Sequence, residues 1–357
     1  MNTNLEDHPG SVDLSKPGDL LRSGNLSRGL ISISADPSPS VHIPESEDVG
    51  SVDLGSVDLS GCGEWTKTCE KECVDGGGPI PNLVHFIKTD NDFRFYEWVA
   101  VLAARKAIKP RKIFVHSVGE IKSCWWNRIL PFVEHHIVPS DQWVRSLNGK
   151  NVTKLAHKAD FMRNAVLYKI GGIYSDTDSI ATKSFDDLLQ SYQIVIAKQI
   201  QEWPGNGLLV VQKQSCFMCA YAKQACQNFN GLWNTHSIVA LKNLVEKQVT
   251  THLYKNVKIL DLNSGFFPFG WNTEDIRAII MNDMKSSRFS LSQVYAIHLY
   301  HSGDYTGTFL PNLDSYSWLS NSQSPAAHAF RAALPSWFNE TYHNKNLCID
   351  PPQLSQL

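Results

Sequence analysis

The stretch that decides the fold runs from His157 to Asp187 and reads HKADFMRNAVLYKIGGIYSDTDSIATKSFDD. Its first half has the apolar spacing of a helix, and we predict one over Lys154–Ile170, ended by a Gly-Gly pair. A short apolar strand, Ile173–Ser175, follows the glycines. The chain therefore turns from a helix into a buried strand, whose end is a natural place for a ligand.

Two carboxylates, Asp176 and Asp178, come directly after that strand. Residues two apart in an extended segment point the same way, so both carboxylates can face one ligand. Hard oxygen donors of this kind select Mg²⁺ or Mn²⁺, which leave positions open for phosphate oxygens. The alternative is a solvated loop, because Asp-x-Asp is common and occurs again at Asp90-Asn91-Asp92.

The helix before the glycines carries a polar stripe formed by His157, Asp160, Arg163 and Asn164. One interpretation is an ordinary solvated face with a weak Asp160–Arg163 pair. The other is functional: Asp160 accepts from sugar hydroxyls, and Arg163 holds phosphate or sugar oxygens. The helix itself does not decide between the two.

Strands and helices alternate from Ile80 onward. Strands are predicted at Leu83–Ile87, Lys112–His116, Gln193–Ala197, Leu208–Val211, Val257–Leu260 and Val294–Tyr300, and further helices at Phe93–Ile108, Ser123–Val133, Phe217–Asn228 and Ile238–Lys247. The alternation favours an α/β fold with a mainly parallel sheet. Such sheets bind ligands at the carboxyl ends of their strands, where the Asp pair lies.

Charge is distributed unevenly along the 357 residues. Residues 1–79 hold 14 acidic and 5 basic side chains, net −9, and the remainder holds 21 and 28, net +7. A basic folded part fits an anionic ligand, but no Lys/Arg run argues for nucleic acid. No apolar run is long enough for a transmembrane helix, and the N-terminus lacks a signal pattern.

Composition divides the chain into three parts. Residues 1–79 are predicted to be a disordered, low-complexity segment ending in a Cys-bearing junction, residues 80–345 a single folded domain, and residues 346–357 a tail. Cys216, Cys219 and Cys226 are interpreted as helix-borne core residues or disulfide partners, because the second half of a zinc motif is missing.

The ordered residues from Ala159 to Asp178 resemble the DXD sugar-transferase signature of glycosyltransferase family 32. They include Asp160, Arg163, Gly171-Gly172 and Tyr174 besides the Asp pair. The segment Ile80–Ile87 resembles the opening strand of that family, Asn206–Leu209 resembles the later segment that lines the donor sugar and acceptor, and Tyr295–Leu299 is similar to its late His-bearing strand.

This resemblance implies a GT-A fold, which is a Rossmann-like α/β domain that binds a nucleotide sugar together with Mn²⁺ or Mg²⁺. Asp176 and Asp178 would hold the metal, His298 would complete the site with His301 as a competing candidate, and Arg163 would assist the Asp pair in catalysis. The positions expected to contact the nucleotide sugar are His85, Phe86, Ile87, Asp160, Arg163, Asn206 and Gly207.

The implied reaction moves a hexose or N-acetylhexosamine, with retention of configuration, from a nucleotide diphosphate sugar to a hydroxyl of a glycan, glycolipid or glycoprotein. A UDP-sugar is the expected donor. Trp203, Trp233 and Trp271 are candidate sugar platforms, with core packing as the alternative for each. The family resemblance implies the Golgi or secretory lumen; the missing anchor leaves a cytoplasmic protein or a truncated gene model as alternatives.

Two other functions stay open at this point. The first is a non-catalytic protein that binds nucleotide sugars on the same fold. The second is a phosphatase that uses the first Asp of the pair as its nucleophile, although Asp186-Asp187 lies too close to supply the further acidic pair that such enzymes need. A glycosidase would need carboxylates on either side of the scissile bond, and this pair is too close together for that.

Overall fold

The computed structural model describes residues 57–262, 264–268, 273–281, 290–300, 316–336 and 338. Its strands are β1 (Leu83–Lys88), β2 (Lys112–Ser117), β3 (Glu134–Ile137), β4 (Ser146–Leu147), β5 (Lys150–Asn151), β6 (Gly172–Ser175), β7 (Ser179–Ala181), β8 (Ile194–Ile200), β9 (Trp203–Pro204), β10 (Leu208–Val211), β11 (Val257–Leu260) and β12 (Ala296–His298).

The main sheet has the strand order β11-β8-β10-β6-β1-β2-β3, with β9 paired to β8. The pairs β11–β8, β6–β1, β1–β2 and β2–β3 are parallel, and β10 runs antiparallel to both of its neighbours. Two small sheets, β12–β7 and β4–β5, lie outside it. The predicted α/β fold with a mainly parallel sheet is confirmed.

Helices flank this sheet. They are α1 (Trp65–Glu72), α2 (Phe95–Ala103), α3 (Cys124–Ile129), α4 (Leu155–Lys169), α5 (Asp186–Leu189), α6 (Cys216–Gln227), α7 (Ala240–Thr251), α8 (Thr273–Ile280), α9 (Tyr316–Asn321) and α10 (Pro325–Ala333). None of the helices in the described ranges is long and apolar enough to cross a membrane.

The central strand β1 is buried along its whole length, as expected of a strand covered on both faces. Its side chains Val84 and Phe86 join one core cluster with the apolar residues of α2 and α10. Helix α4 packs against β1 and β6. The core therefore surrounds β1 and β6 and fixes the strand end from which the Asp pair emerges.

The glycine pair after α4 has a steric reason. Gly171 and Gly172 have φ values of +77° and +107°, which side chains rarely adopt. A Cβ on Gly172 would also lie 2.7 Å from the Leu83 carbonyl oxygen. The pair ends α4 in a left-handed turn and sends the chain directly into β6.

Folded structure begins before Ile80, the predicted start of the domain. Helix α1 is joined to α6 by the disulfides Cys69–Cys219 and Cys73–Cys216, and Cys62–Cys226 lies beside them. The composition of residues 1–79 gave no sign of this helix, which is joined by disulfides to cysteines more than 140 residues away. Of the two interpretations given to Cys216, Cys219 and Cys226, the structure shows the second, because each of them is a disulfide partner.

Some predicted elements are shorter than their sequence patterns. The helix predicted over Phe93–Ile108 is α-helical only to Ala103 and ends in a π-helical turn, Ala104–Ile108. The late strand predicted over Val294–Tyr300 is reduced to β12, which pairs antiparallel with β7 instead of joining the main sheet. That pairing carries His298 to the segment that follows the Asp pair.

Candidate active site

Three predicted metal ligands come together although they are far apart in the chain. His298 Nε2 lies 3.3 Å from Asp176 Oδ2 and 3.2 Å from Asp178 Oδ1. One ligand atom from each of the three residues falls within 4.8 Å of the others. The register of β12 on β7, with His298 opposite Ser179, produces this meeting.

The electrostatics of this cluster favour a cation at its centre. Burial by itself would lower the pKa of His298, but Asp178 and Asp176 beside it raise that pKa to about 10. The two carboxylates therefore hold a proton on the imidazole. A divalent cation bound by the same three residues would replace that proton and compensate the negative charge of the two carboxylates.

Gly207 leaves the space that the cluster needs. The antiparallel register of β10 on β6 sets Leu208 opposite Ser175, so Gly207 lies beside the Asp pair. Its carbonyl oxygen accepts a hydrogen bond of 2.7 Å from the Asp176 backbone N–H. A Cβ at this position would lie 2.6 Å from Asp176 Oδ2 and 2.9 Å from His298 Nε2. Only glycine fits there without displacing Asp176 or His298.

Arg163 is buried directly beside the cluster. Its Nη2 donates to Asp176 Oδ1 and to the Tyr174 hydroxyl, each at 3.1 Å, and its Nη1 donates to the Asn206 carbonyl oxygen at 2.5 Å. Tyr174 in turn donates to Asp176 Oδ1 at 2.5 Å. Burial would lower the pKa of Arg163, but Tyr174, Asp176 and Asp160 around it raise it.

Asp160 lies on the other side of Arg163. Its Oδ1 is 3.4 Å from Arg163 Nη2 and accepts from Asn206 Nδ2 at 3.1 Å, and its Oδ2 is 3.1 Å from His236 Nε2. Burial would raise the pKa of Asp160, but Arg163 and His236 lower it. The polar stripe of α4 is therefore largely buried against other polar groups and is not a solvated face.

The donor set fits a divalent metal. Asp176 and Asp178 offer carboxylate oxygens, Arg163 lies beside Asp160 and Asp176, and His298 lies beside Asp176 and Asp178. The two carboxylates supply the oxygen ligands that Mn²⁺ and Mg²⁺ take, and such ions keep further positions for phosphate. Gly207 supplies the room between these ligands. The residues thus match the metal that the sequence predicts.

The buried ion pair between Lys88 and Glu97 is hydrogen-bonded to the Asp-Thr-Asp triplet through Thr177. Glu97 of α2 accepts hydrogen bonds of 2.7 and 2.9 Å from Lys88 Nζ at the end of β1. Burial raises the pKa of Glu97. Lys88 and the hydrogen bond that the Thr177 side chain makes to Glu97 lower it, but burial has the larger effect. Thr177, between the two Asp residues, is thereby tied to the sheet and to α2.

The structure does not bring every predicted residue to this site. His85 is fully buried, with its ring nitrogens 3.1 Å from His116 Nε2 and from the Gly171 carbonyl oxygen, and Phe86 lies in the core cluster. Ile87 is also buried. The three are thus placed as core residues of β1. His301 and Trp271 lie outside the described residues.

His236 and Glu97 were not singled out from the sequence. Each meets its partner through tertiary packing, and only the isolated charge of Glu97 within the apolar helix pattern could have drawn attention to it.

Trp203 and Trp233, two of the candidate sugar platforms, are partly exposed, at 37% and 52%, so core packing does not account for either.

Comparison with known proteins adds a family match to this geometry. Residues 87–195 match the family model described as "Glycosyltransferase sugar-binding region containing DXD motif". The matched stretch contains α4, the glycine pair and the Asp-Thr-Asp triplet.

A curated relative extends the likeness beyond this region. It is "Glucan organizing enzyme 1" of Cryptococcus neoformans var. grubii serotype A (strain H99), 26% identical over 242 residues, or 62% of this chain. The match spans 63% of that relative's length.

The solved structures that are similar to this chain include glycosyltransferases. They include the apo WbbM bifunctional enzyme (TM-score 0.44, 12% identity, 74% of this chain and 51% of that chain) and the apo form of GlyE from Streptococcus pneumoniae TIGR4 (0.41, 12%, 74% and 63%). The galactosyltransferase LgtC in complex with donor and acceptor sugar analogs has a TM-score of 0.36 at 13% identity, over 72% of this chain and 99% of that chain.

Proposed function

We propose that this protein is a retaining, metal-dependent glycosyltransferase of the GT-A type that uses a nucleotide diphosphate sugar, with a UDP-sugar as the expected donor. The observation that carries the proposal is the convergence of Asp176, Asp178 and His298 beside the buried Arg163–Asp160 pair. The DXD family match over residues 87–195 supports it.

Asp176, Asp178 and His298 would hold Mn²⁺ or Mg²⁺. Such an ion, when bound, neutralises the charge that develops on the leaving diphosphate. The remaining tasks fall to the chain itself, which must bind the donor, orient its sugar and supply fixed positive charge.

Arg163 is that fixed charge in the proposed site. Four polar groups surround its guanidinium, so it cannot turn away when the donor binds. A preorganised cation needs no reorganisation while negative charge moves to the diphosphate, which is how such groups lower a barrier. Arg163 also holds Asp176 through the hydrogen bond to Oδ1.

Asp160 and Asn206 would recognise the sugar of the donor through hydrogen bonds. The two side chains are joined by the Asn206 Nδ2–Asp160 Oδ1 hydrogen bond, and 14% of the Asp160 side chain stays exposed. An ionised carboxylate only accepts hydrogen bonds, so its open side suits a sugar hydroxyl.

In the proposed reaction the bond between the sugar C1 and the diphosphate oxygen breaks, and a bond from C1 to an acceptor hydroxyl oxygen forms on the same face. The departing phosphate oxygen takes the proton of that hydroxyl. No covalent enzyme intermediate is required. Proton NMR of the first product formed would show the anomeric configuration.

The acceptor is proposed to be a glycan, a glycolipid or a glycoprotein. The name of the curated relative links that protein to glucan, and we extend a glycan acceptor to this chain on that basis. Exposed Trp203 adjoins the loop that carries Asn206 and Gly207, and a sugar ring can pack on such an apolar face.

The disulfides support a secretory location. Cys62–Cys226, Cys69–Cys219 and Cys73–Cys216 connect segments far apart in sequence. Structural disulfides persist in oxidising compartments and are rare in the cytosol. We therefore propose the secretory lumen, which agrees with the location implied by the family resemblance.

The Asp-nucleophile phosphatase is disfavoured by the surroundings of Asp176. Its Oδ1 accepts from Tyr174 and Arg163, and its Oδ2 faces His298. A nucleophilic carboxylate needs a free oxygen in line with phosphorus. A non-catalytic binding protein would show nucleotide binding with Mn²⁺ and no release of nucleotide.

The deciding experiment is a donor screen. The full chain is incubated with Mn²⁺ and each common UDP- or GDP-sugar, and the released nucleotide is measured. Asp178→Ala should lower release by about 100-fold or more, because metal charge stabilisation contributes several kcal/mol. Asp92→Ala, in the exposed Asp-Asn-Asp triplet, is the matched control and should leave release unchanged. Equal release by wild type and Asp178→Ala would refute the proposed metal site.

A further inference from the structure

The loop between α6 and α7 places one histidine against the proposed sugar-binding carboxylate. His236 lies in the π-helical turn Thr235–Val239 and is completely buried. Its ring is surrounded by the aromatic rings of His157, Phe161 and Phe229, with centroids 4.5, 5.0 and 5.3 Å away. Its Nε2 reaches out of this aromatic cage to Asp160 Oδ2 at 3.1 Å.

The direction of this hydrogen bond follows from the carboxylate. Neighbouring positive groups lower the pKa of Asp160, so the carboxylate is ionised and can only accept. His236 Nε2 therefore carries the hydrogen and donates it. Its Nδ1 makes no hydrogen bond to any described residue, so the ring contributes a single polar contact, the one to Asp160.

That contact completes the immobilisation of Asp160. Asn206 and Arg163 approach Oδ1, and His236 holds Oδ2. With both oxygens held, the carboxylate cannot rotate about its last bond, and its remaining lone pairs point in fixed directions. A carboxylate fixed in this way accepts from a hydroxyl at one orientation and discriminates against the epimer, whose hydroxyl points elsewhere.

We infer that His236 is a positioning residue for donor-sugar recognition. It fixes Asp160 so that the enzyme discriminates between donor sugars, and it takes no part in discrimination between nucleotides. The inference rests on the proposed function, because it assigns to Asp160 the binding of the donor's sugar. His236 acts through Asp160 and does not itself contact the donor.

The aromatic cage makes this inference testable without unfolding the protein. His157, Phe161 and Phe229 would accept a phenyl ring in place of the imidazole, so His236→Phe keeps the packing and removes the N–H donor. His236→Gln offers a side-chain N–H that can reach the position of Nε2. His157→Phe is the matched control, because its ring belongs to the same cage and it makes no hydrogen bond to Asp160.

The experiment measures binding by calorimetry with Mn²⁺ present. The ligands are UDP, GDP and their common sugar conjugates, including the epimers UDP-glucose and UDP-galactose. His236→Phe should weaken binding of the preferred sugar nucleotide by about 10- to 100-fold, the loss typical of one hydrogen bond to a charged group. Binding of the bare diphosphate should change by less than about twofold, since it lacks the group that Asp160 reads. His236→Gln should restore most of the loss, and His157→Phe should resemble wild type.

Three outcomes would overturn the inference. They are an equal loss of affinity for the diphosphate and its sugar conjugate, unchanged affinity for both, or a wild type that binds the conjugate no more tightly than the diphosphate. Nucleotide release is measured separately. A protein that shows the expected binding differences but releases no nucleotide would contradict the proposed transferase activity and would still support the role of His236.

Discussion

A single methyl group at Gly207 tests whether the Asp176–Asp178–His298 cluster is a metal site. In Gly207→Ala the new Cβ would lie 2.6 Å from Asp176 Oδ2 and 2.9 Å from His298 Nε2. Ordinary Cβ contacts begin near 3.4 Å, so Oδ2 and the methyl group must separate by about 0.8 Å. Metal–ligand distances tolerate about 0.2 Å, so this displacement is incompatible with the original coordination.

Asp176 cannot relieve the contact by a small rotation. Its Oδ1 is held by Tyr174 and Arg163, and its backbone N–H is bonded to Gly207 itself. The backbone of Gly207 lies outside the left-handed region, so alanine is otherwise tolerated. By itself, such a glycine-to-alanine change adds about 0.4–1 kcal/mol of stability through the unfolded state. We therefore expect a folded protein with a damaged site.

The assay is calorimetric binding of Mn²⁺ in the presence of UDP, with the melting temperature as a check on folding. Gly207→Ala should bind Mn²⁺ at least about tenfold more weakly, by analogy with losses that follow disturbance of ligand-orienting groups. Gly119→Ala, where a Cβ meets nothing within 4 Å, is the control. Wild-type Mn²⁺ affinity in Gly207→Ala would refute the assignment of these three residues as ligands.

Two further predictions concern the rest of the domain. Burial lowers the pKa of His85 to about 4, so between pH 6.5 and 4 the unfolded chain binds a proton that the folded chain does not. As the pH drops through that window, protonation of His85 in the unfolded chain should lower the free energy of unfolding by about 3 kcal/mol. Measured by urea unfolding, the free energy of unfolding of His85→Phe should therefore depend less steeply on pH than that of the wild type. A wild-type pH dependence in that variant would contradict the reasoning. Replacing Cys69 and Cys219 together by serine should lower the unfolding free energy by about 2–5 kcal/mol, measured by urea denaturation without reductant. An unchanged midpoint would show that this bond does not hold α1 in the folded state.

The sequence was sufficient for the part of the site that lies within one short stretch. Asp160, Arg163, Asp176 and Asp178 fall on one helix and the end of the next strand, so helical spacing and strand direction predict their positions. His298 was also found, although its pairing with β7 was not, because β12 joins a small separate sheet.

Contacts between distant segments could not be predicted in this way. His236 meets Asp160 from 76 residues away on an irregular turn, and α1 is joined to α6 by disulfides. His85 shows the opposite difficulty. Its place in a segment that resembles the opening strand of the family suggested contact with the donor, but the side chain turns toward His116 and Gly171 and stays in the core.

The two Asp-x-Asp triplets of this chain show what gives such a pattern its chemistry. Asp90 and Asp92 have side chains that are 55% and 66% exposed, so water solvates their charge, and Lys88 and Arg94 lie beside them. The side chains of Asp176 and Asp178 are only 27% and 12% exposed. Carboxylates deprived of water are costly unless positive charge compensates them.

Lys88 connects the two triplets and completes this contrast. Its Nζ binds Asp90 Oδ1 at 2.9 Å and also the buried Glu97, which accepts from Thr177 between the second pair of acids. Lys88 is thus already matched by Glu97 and cannot neutralise Asp176 or Asp178. Arg163 lies beside Asp160 and Asp176, and His298 lies beside Asp176 and Asp178. The concentration of buried charge around the second triplet therefore arises from tertiary packing, and a sequence pattern shared by both triplets could not have revealed it.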